Sequence, residues 1–211
     1  MVGYVEALTD PSYKGQILVL TSPMIGNYGV PNTDSRDDLG DPTSLNGLSS
    51  FLESEKIHVA GLIVTDYSAD FSHWNANKAL GRWLQESGVP ALCGVDTRKL
   101  TKKIREFGSM MGRIDLGRDN SDAPPPVASS PLLSPTTSTA SLSSLSLLPS
   151  PLPALTDLDA GPATHLVAQV TCKHIKVYGQ GLHPRIIAFD CGMKNNIIRC
   201  FVKEQHVQVR T

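Results

Sequence analysis

This chain of 211 residues lacks long apolar stretches and lacks an excess of either charge. No run approaches the roughly 20 apolar residues that a membrane-spanning helix needs, which excludes the transmembrane class. Lys and Arg number 19 against 20 Asp and Glu, so no general positive charge is available to neutralise nucleic-acid phosphates. The first residues have neither the basic start nor the apolar run of a secretory signal, and they show no transit peptide. We therefore expect neither a membrane nor a nucleic-acid partner.

Cysteine and metal-ligand patterns are also scarce. The four cysteines are too few for a disulfide scaffold and have no C-x-x-C spacing, so we expect free thiols in a reducing compartment, each a small buried side chain. They are Cys93, Cys172, Cys191 and Cys200. The histidines show no metal-ligand spacing, which favours structural or solvated roles. They are His58, His73, His165, His174, His183 and His206.

The common catalytic and cofactor signatures are missing as well. The sequence contains no G-x-x-x-x-G-K-[ST], G-x-G-x-x-G, G-x-S-x-G or H-E-x-x-H motif. These motifs indicate, in that order, a phosphate-binding loop, a dinucleotide-binding fold, a serine nucleophile and a zinc site. We therefore predict no cofactor site and no catalytic residue within this chain.

The hydrophobic pattern of residues 1–118 alternates between short apolar runs and helical spacing. Strands are predicted over 17–21, 57–65 and 91–95, and helices over 48–55, 75–87 and 98–107. Asp96 or Thr97 can cap the last helix, and Gly108 ends it. This order predicts an α/β fold rather than a helical bundle or a β-sandwich.

Residues 119–163 break the pattern with a composition of Pro, Ser, Thr, Ala and Leu. The prolines exclude a continuous helix, so we predict a disordered segment that acts as a linker or is a spurious insertion. A proline-rich ligand is the alternative interpretation. A smaller insertion is predicted over 41–47.

The pattern resumes after this segment. Strands are predicted over 165–170, 174–178, 185–190 and 207–209, with a helix over 195–204. The last three elements form the opening of a parallel β-α-β unit. About 26 residues cannot form a stable core alone, so this piece must pack on the rest of the chain or continue in a longer protein. We interpret the chain as truncated.

Two local features are candidates for function. The helix over 98–107 carries five cations on the side opposite Leu100, Ile104 and Phe107; this is an ordinary solvated face or a partner-facing one. Ser12 lies in a turn after Asp10 and Pro11 that presents a hydroxyl able to donate and accept hydrogen bonds. On composition alone it is a turn serine.

Four motifs give Ser12 a further meaning. The stretches GYVEALTDPSY (3–13), IGNYG (25–29) and GVDTRKLT (94–101) resemble the N-terminal domain of the carbamoyl-phosphate synthetase small subunit. DCGMKNNIIR (190–199) resembles the first strand and helix of the glutamine amidotransferase domain that follows it. In that family β-strands precede the first motif, so Met1 resembles an internal methionine.

The resemblance implies four parts of the chain. Residues 1–118 correspond to the N-terminal domain, 119–163 to the insert, 164–184 to the end of that domain and a linker, and 185–211 to the truncated start of the amidotransferase domain. The implied fold is a swivelling three-layer β/β/α domain followed by the first β-α-β of a flavodoxin-like domain.

The family's complete enzyme makes carbamoyl phosphate from bicarbonate, ATP with Mg, and ammonia that is free or taken from glutamine. The resemblance implies that Ser12 contacts L-glutamine, and that the catalytic Cys, His and Glu lie outside this chain, so that Cys191 is not the nucleophile. The implied partner is the large synthetase subunit. Asp66-Tyr67-Ser68, His73-Trp74 and the stretch 176–179 look most like the mitochondrial urea-cycle type, with a cytoplasmic pyrimidine or arginine enzyme as the alternative.

Two other interpretations stay open. In the first, the chain is a non-catalytic interaction module that docks on the large subunit through the basic helix. In the second, it is an unrelated binding protein that uses the Pro/Ser segment.

Overall fold

The computed structural model describes residues 3–37, 39, 47–115 and 165–211. The chain divides into two compact units, one of Met1–Gly112 with Thr164–Thr211 and one of Arg113–Ala163. Only 113–115 of the second unit are described, so the elements below belong to the first. The predicted insert at 119–163, and 41–46 of the smaller one, lie outside the described residues.

A parallel sheet forms the centre of the first half. Its strands are β1 (Ile17–Leu20), β2 (Gly61–Val64) and β3 (Ala91–Leu92), in the order β1-β2-β3. All three predicted strands are present but shorter than predicted. Residues before β2 make bonds outside the sheet, since the His58 amide donates to Leu8 O at 2.9 Å. The three strands are parallel, and a helix over Leu80–Glu86 connects β2 to β3, which confirms the α/β class.

A helix that the pattern did not predict, α1 (Tyr4–Thr9), packs in the core of this half. Tyr4 and Leu8 are fully buried one turn apart, and each buried side chain of this size contributes about 1.5–3 kcal/mol. The Tyr4 ring stacks on Tyr28 at 4.1 Å, and its hydroxyl donates to Gly29 O at 2.7 Å. Burial, as the largest cause, raises the pKa of Tyr28 to about 12.

The predicted helix over 48–55 is wrong. Leu48 and Leu52 are buried as predicted, but the backbone of this segment bonds to other segments instead of to itself. Leu48 O accepts from the Asp37 amide at 2.7 Å, and the Ser50 amide donates to Ser35 O at 3.0 Å. These tertiary bonds replace the i to i−4 bonds that a helix would need.

The second predicted helix begins later than its pattern suggests. Helix α2 covers Leu80–Glu86, whereas the preceding residues 75–79 pair with the loop around Val30. The Asn77 amide donates to Val30 O at 2.8 Å, and the Val30 amide donates to Lys78 O at 2.8 Å. Leu80, Trp83 and Leu84 still line the core as their helical spacing indicated.

The predicted helix over 98–107 is present as α3 (Thr97–Phe107), which begins one residue earlier. The Asp96 carboxylate accepts from the Lys99 amide at 2.9 Å, so Asp96, one of the two predicted caps, is the N-cap. Gly108 ends the helix at φ +77°, a left-handed conformation that glycine adopts without strain. Thr97 is the buried residue of this helix, and Phe107, on the predicted apolar face, is 70% exposed.

The C-terminal part forms a second, mixed sheet. Its strands are β4 (Val177–Tyr178), β5 (Arg185–Ile187) and β6 (Gln208–Arg210), in the order β4-β6-β5. Strands β5 and β6 are parallel, and β4 is antiparallel to β6. Helix α5 (Asn195–Arg199) joins β5 to β6 and continues as a π-helical turn, Cys200–Glu204. The predicted parallel β-α-β unit is therefore present.

The predicted strand over 165–170 is wrong, because Leu166–Val170 forms a short helix, α4. Thr171 closes it locally: its amide and its hydroxyl both donate to Val167 O, at 2.9 and 2.7 Å. Leu166 and Val167 are about half exposed. The alternating apolar side chains of 166–170 therefore do not pack on a sheet, and the backbone groups of this segment make their hydrogen bonds within the short helix.

A second hydrophobic cluster connects the two halves. Tyr178, Ile198, Val202 and Val209 pack with Leu39 and Leu48 from the first half. The C-terminal piece thus packs on the rest of the chain, one of the two outcomes expected from its length. Within the described residues, no helix combines the length and apolar character needed to span a bilayer.

Candidate functional site

Ser12 lies in a short 3-10 turn, Pro11–Tyr13, directly after α1. The Asp10 carboxylate caps this turn, because its Oδ1 accepts from the Ser12 amide at 2.9 Å. Pro11 occupies the first position, where its missing N–H leaves no unpaired donor. Asp10 and Pro11 are buried whereas Ser12 is exposed. The buried residues anchor the turn, and the side chain of Ser12 lies at the surface, where a ligand can reach it.

The same carboxylate joins the turn to the C-terminal half. Lys194 Nζ lies 2.7 Å from Asp10 Oδ2, and the Asp10 side chain is only 5% exposed. Burial by itself raises the pKa of Asp10, but hydrogen bonds from Lys194 and Ser12 outweigh it and hold that pKa below its ordinary value. The bond to Asp10 raises the pKa of Lys194. Both groups are therefore charged at neutral pH.

Thr9 ties the turn to the loop that replaces the predicted helix. It is fully buried, and its Oγ1 accepts from the Glu53 amide at 3.0 Å while donating to Val5 O at 2.9 Å. The Ser54 hydroxyl donates to Thr9 O at 2.6 Å. With both its side chain and its carbonyl engaged, Thr9 fixes the position of the Ser12 turn relative to residues 52–54.

Helix α5 begins on this same loop. The Asn195 amide donates to Glu53 O at 2.9 Å, and Asn195 Nδ2 donates to Leu52 O at 3.1 Å. The Asn196 amide donates to Glu53 Oε2 at 2.9 Å. Free amides at a helix start need acceptors, and the first half of the chain supplies them.

Arg199, one turn further along α5, makes the most contacts across this junction. Its Nε lies 2.9 Å from Asp37 Oδ2, and its Nη2 donates to Leu52 O at 2.9 Å and to Ser49 O. The side chains of Arg199 and Asp37 are 15% and 14% exposed. Because the guanidinium N–H groups of Arg199 bond to one carboxylate and two carbonyls, they fix the distance and the orientation of α5 relative to Asp37 and residues 49–52.

The Asp190 turn supports the other side of Lys194. The Asp190 carboxylate accepts from the amides of Cys172, Gly192 and Met193 at 2.7, 2.9 and 2.8 Å. Burial raises the pKa of Asp190, but these bonds outweigh it and the pKa lies below its ordinary value. Gly192 has φ +101°, and a Cβ there would lie 2.8 Å from Val170 Cγ2, so the turn requires glycine.

These contacts define the candidate site as the junction around the Ser12 turn. A cavity of about 330 Å³ lies along the same junction, lined by residues of both halves, among them Pro11, His58, Asp190 and Asn195. Within the described ranges no three His, Cys, Asp or Glu side chains are grouped to hold a metal ion. The junction therefore presents an exposed hydroxyl on a turn that Asp10 caps.

The cysteines follow the sequence interpretation only in part. All four are free thiols, as expected, but none is buried: Cys93 and Cys191 are exposed, and Cys172 and Cys200 are intermediate. Cys93 directly follows the two-residue strand β3, and Cys191 lies in the Asp190 turn, so neither faces a core. The burial predicted from side-chain type is wrong for these positions.

His58 is the buried histidine of the junction, 5% exposed, with no hydrogen-bond partner at Nδ1. Burial lowers its pKa most, Lys14 and Lys56 lower it further, and Asp10 opposes them. The folded protein therefore holds His58 neutral at pH values where the unfolded chain protonates it. A histidine with a lowered pKa stabilises the folded state at pH values above its ordinary pKa of about 6.5. This contribution is lost as the pH falls toward the lower pKa of the folded state.

We predict that the free energy of unfolding falls between pH 7.5 and 5.5, and that His58→Gln removes most of this dependence. Urea unfolding at both pH values measures it. His174→Gln, at an exposed position, is the matched control and should keep the full dependence. Equal pH dependence in the two variants would contradict the role of His58.

The sequence singled out Ser12 but not the residues that hold it. Thr9, Asp37, Asn195 and Arg199 belong to this network, and no local pattern assigns them a role. The available signal was the motifs themselves: Thr9 and Asp10 lie inside the 3–13 motif, and Lys194, Asn195 and Arg199 lie inside the 190–199 motif. The partners of the last three residues lie about 140 to 190 residues away in sequence, which single-sequence reasoning does not connect.

Comparison with known proteins covers nearly the whole chain. Residues 1–114 match the family model for the carbamoyl-phosphate synthase small chain, CPSase domain. The chain is 43% identical over 201 residues to the human mitochondrial carbamoyl-phosphate synthase [ammonia], covering 95% of this chain and 11% of that protein.

Two yeast proteins show the same likeness. Identity is 41% over 217 residues to the multifunctional protein URA2 of Saccharomyces cerevisiae, covering 96% of this chain and 9% of that protein. It is 39% over 206 residues to the arginine-specific carbamoyl phosphate synthase small chain of the same yeast, covering 96% and 40%. The chain thus spans less than half the length of each of these relatives. Because the family model matches more than half of the chain, this protein belongs to the carbamoyl-phosphate synthase small chain family.

Proposed function

We propose that the chain is part of a carbamoyl-phosphate synthase and presents one wall of its glutamine site. The observation that carries this proposal is the match of residues 1–114 to the small chain domain, with the Ser12 turn held inside that match. The whole enzyme would make carbamoyl phosphate from bicarbonate, ATP with Mg, and ammonia, either free or from glutamine. The chain itself supplies no residue for ATP or for the nucleophile.

Ser12 is the residue we assign to L-glutamine. The exposure of Ser12 on a turn anchored by Asp10 and Thr9 supports this role, because a preorganised hydroxyl loses little freedom on binding. Lys194 binds Asp10, which caps the same turn, and α5 begins on Leu52 and Glu53 beside it. These contacts support a site that Ser12 shares with the start of the proposed amidotransferase part. Glutamine hydrolysis itself needs a nucleophile and base, which we place outside this chain.

The finer fold assignment is also part of this proposal. We assign the first half to the swivelling β/β/α domain and residues 185–211 to the opening of a flavodoxin-like amidotransferase domain. The parallel pair β5 and β6, joined by α5, supports the second assignment. We place the protein in the mitochondrion, because the human, rat and mouse relatives are named mitochondrial; a cytoplasmic location is the alternative.

A transplant tests the proposed function. This chain replaces the matched region of the yeast arginine-specific small chain, and the hybrid is combined with the large chain of that enzyme. We expect glutamine-dependent synthesis of carbamoyl phosphate, measured by trapping the product. A hybrid that folds and binds the large chain but makes no product from glutamine or ammonia would contradict the assignment. A second hybrid without residues 119–163 should be equally active if that segment is only an insert.

A second candidate function is docking alone, in which the chain binds the large synthetase chain without contributing to glutamine chemistry. The observation that favours it is the exposed basic face of α3. A hybrid that binds the large chain and uses ammonia, but responds to no change at Ser12, would favour docking over a glutamine site.

A further inference from the structure

His58 is bonded to the chain on both sides of the Ser12 turn. Its amide donates to Leu8 O at 2.9 Å, before the turn, and its carbonyl accepts from the Gly15 amide at 3.1 Å, after the turn. The turn itself covers Pro11–Tyr13. One residue, distant in sequence, therefore connects the two ends of the segment that presents Ser12.

The imidazole of His58 is a polar exception in an apolar stretch. It stands between Ile57 and Val59, in the run that leads into β2, and the residue is only 5% exposed. Its Nδ1 is buried and has no hydrogen-bond partner among the described residues. Buried polar atoms in folded proteins are almost always bonded, and a leucine at this position would need no partner at all. Positions that break a local pattern in this way are expected at functional sites.

A cavity adjoins this imidazole. His58 lines the space of about 330 Å³ together with Pro11 of the turn and with Asp190 and Asn195 of the C-terminal half. Among the described residues that line it, His58 supplies the one buried side-chain atom that lacks a partner. A polar cavity of this size holds water, and water bridges polar groups that do not touch each other.

We propose that Nδ1 of His58 is a positioning group for L-glutamine: it bonds into this cavity and so holds the Ser12 turn where the substrate meets it. This inference rests on the proposed function, because it needs glutamine to bind at Ser12. A neutral imidazole can donate or accept at Nδ1. His58 is neutral at pH 7.5, because burial, Lys14 and Lys56 lower its pKa more than Asp10 raises it. The partner of Nδ1 is a water molecule of the cavity, which bridges it to polar groups of the C-terminal half.

The test uses the hybrid enzyme at pH 7.5 with side chains that each keep one part of the imidazole. Asparagine places a polar group where Nδ1 lies, and glutamine places one where Nε2 lies. We expect His58→Leu and His58→Gln to raise the KM for glutamine about fivefold, the usual effect of one neutral hydrogen bond, with kcat unchanged. His58→Asn should keep this KM within about twofold of the unmodified hybrid. The KM for ammonia should stay the same in all three variants.

The control is His174→Leu, at an exposed position, which should change neither KM. A KM for glutamine that follows the urea unfolding midpoint across the three His58 variants would show a merely structural role and overturn the proposal. Rescue by His58→Gln instead of His58→Asn would overturn the assignment to Nδ1. Equal losses with glutamine and ammonia would place the effect outside the glutamine site. If His58→Leu does not fold, the comparison of the Asn and Gln variants decides.

The same assay separates this proposal from the proposed function. If the His58 variants leave the KM for glutamine unchanged while Ser12→Ala raises it, the role of His58 is wrong and the glutamine site stands. If Ser12→Ala also leaves it unchanged, both are wrong.

Discussion

Replacing Arg199 by alanine is expected to lower the free energy of unfolding by about 3–5 kcal/mol, the usual cost of removing one partner from a buried ion pair. Among the described residues, the cation that then remains near Asp37 is the amine of Lys203, 3.6 Å away and more exposed. It also removes the donor to Leu52 O and Ser49 O. Unpaired buried acceptors are costly, because water cannot replace the lost donor.

Urea unfolding, together with hydrogen exchange of the α5 amides, measures this effect. Exchange should rise in both α5 and residues 49–53, because Arg199 connects them, while β1 and β2 keep their protection. Arg82→Ala is the matched control: its pair with Glu86 is exposed and should contribute little to stability. Arg199→Lys should be intermediate, since an amine cannot reach all three acceptors. A loss in Arg199→Ala no larger than in Arg82→Ala would contradict the role of this junction.

Elements with local signals could be predicted from the sequence. Helix α3 has a cap at Asp96, an amphipathic pattern and a glycine stop, and it forms within one residue of the predicted bounds. The order of β5, α5 and β6 was also predicted, because strand and helix patterns follow one another there, although β5 ends three residues before the predicted end and β6 begins and ends one residue later than predicted.

Elements that depend on distant partners could not be predicted. Residues 48–55 have helical spacing, but their backbone groups bond to Asp37, Ser35 and Thr9 instead. Helix α1 was missed because six residues carry too short a pattern, although Tyr4 and Leu8 fill the core. In both cases tertiary bonds or packing decided the local conformation.

In the candidate site, too, local sequence signals could be recognised and contacts with distant residues could not. Ser12 was identified only through resemblance, since its turn has no catalytic pattern of its own. Its support comes from contacts across the chain: Asn195 reaches Leu52 over 143 positions, and Arg199 reaches Asp37 over 162. No periodicity or local motif records such pairs. The structure was needed to show that the 190–199 motif and the Ser12 turn belong to one junction.

Ser12→Ala in the hybrid enzyme is expected to raise the KM for glutamine about tenfold or more, because a hydrogen bond to a charged substrate group contributes about 1.5–3 kcal/mol. Stability should not change, since Ser12 is exposed and its amide still donates to Asp10. Ammonia-dependent synthesis should stay the same, because ammonia does not use the glutamine site.

Asp10→Asn separates the hydroxyl from its support. This variant keeps Ser12 but weakens the bond to Lys194, which is 2.7 Å from the carboxylate. We expect a smaller rise in the KM for glutamine, together with a lower free energy of unfolding. The pair of variants thus distinguishes a ligand contact at Ser12 from a structural role of the turn.

The measurement that tests the central claim most directly is the KM for glutamine and for ammonia in the Ser12→Ala hybrid, beside the unmodified hybrid. We predict that the KM for glutamine rises at least about tenfold while the KM for ammonia and the unfolding midpoint stay the same. An unchanged KM for glutamine, or equal losses with both nitrogen donors, would contradict the assignment of Ser12 to glutamine.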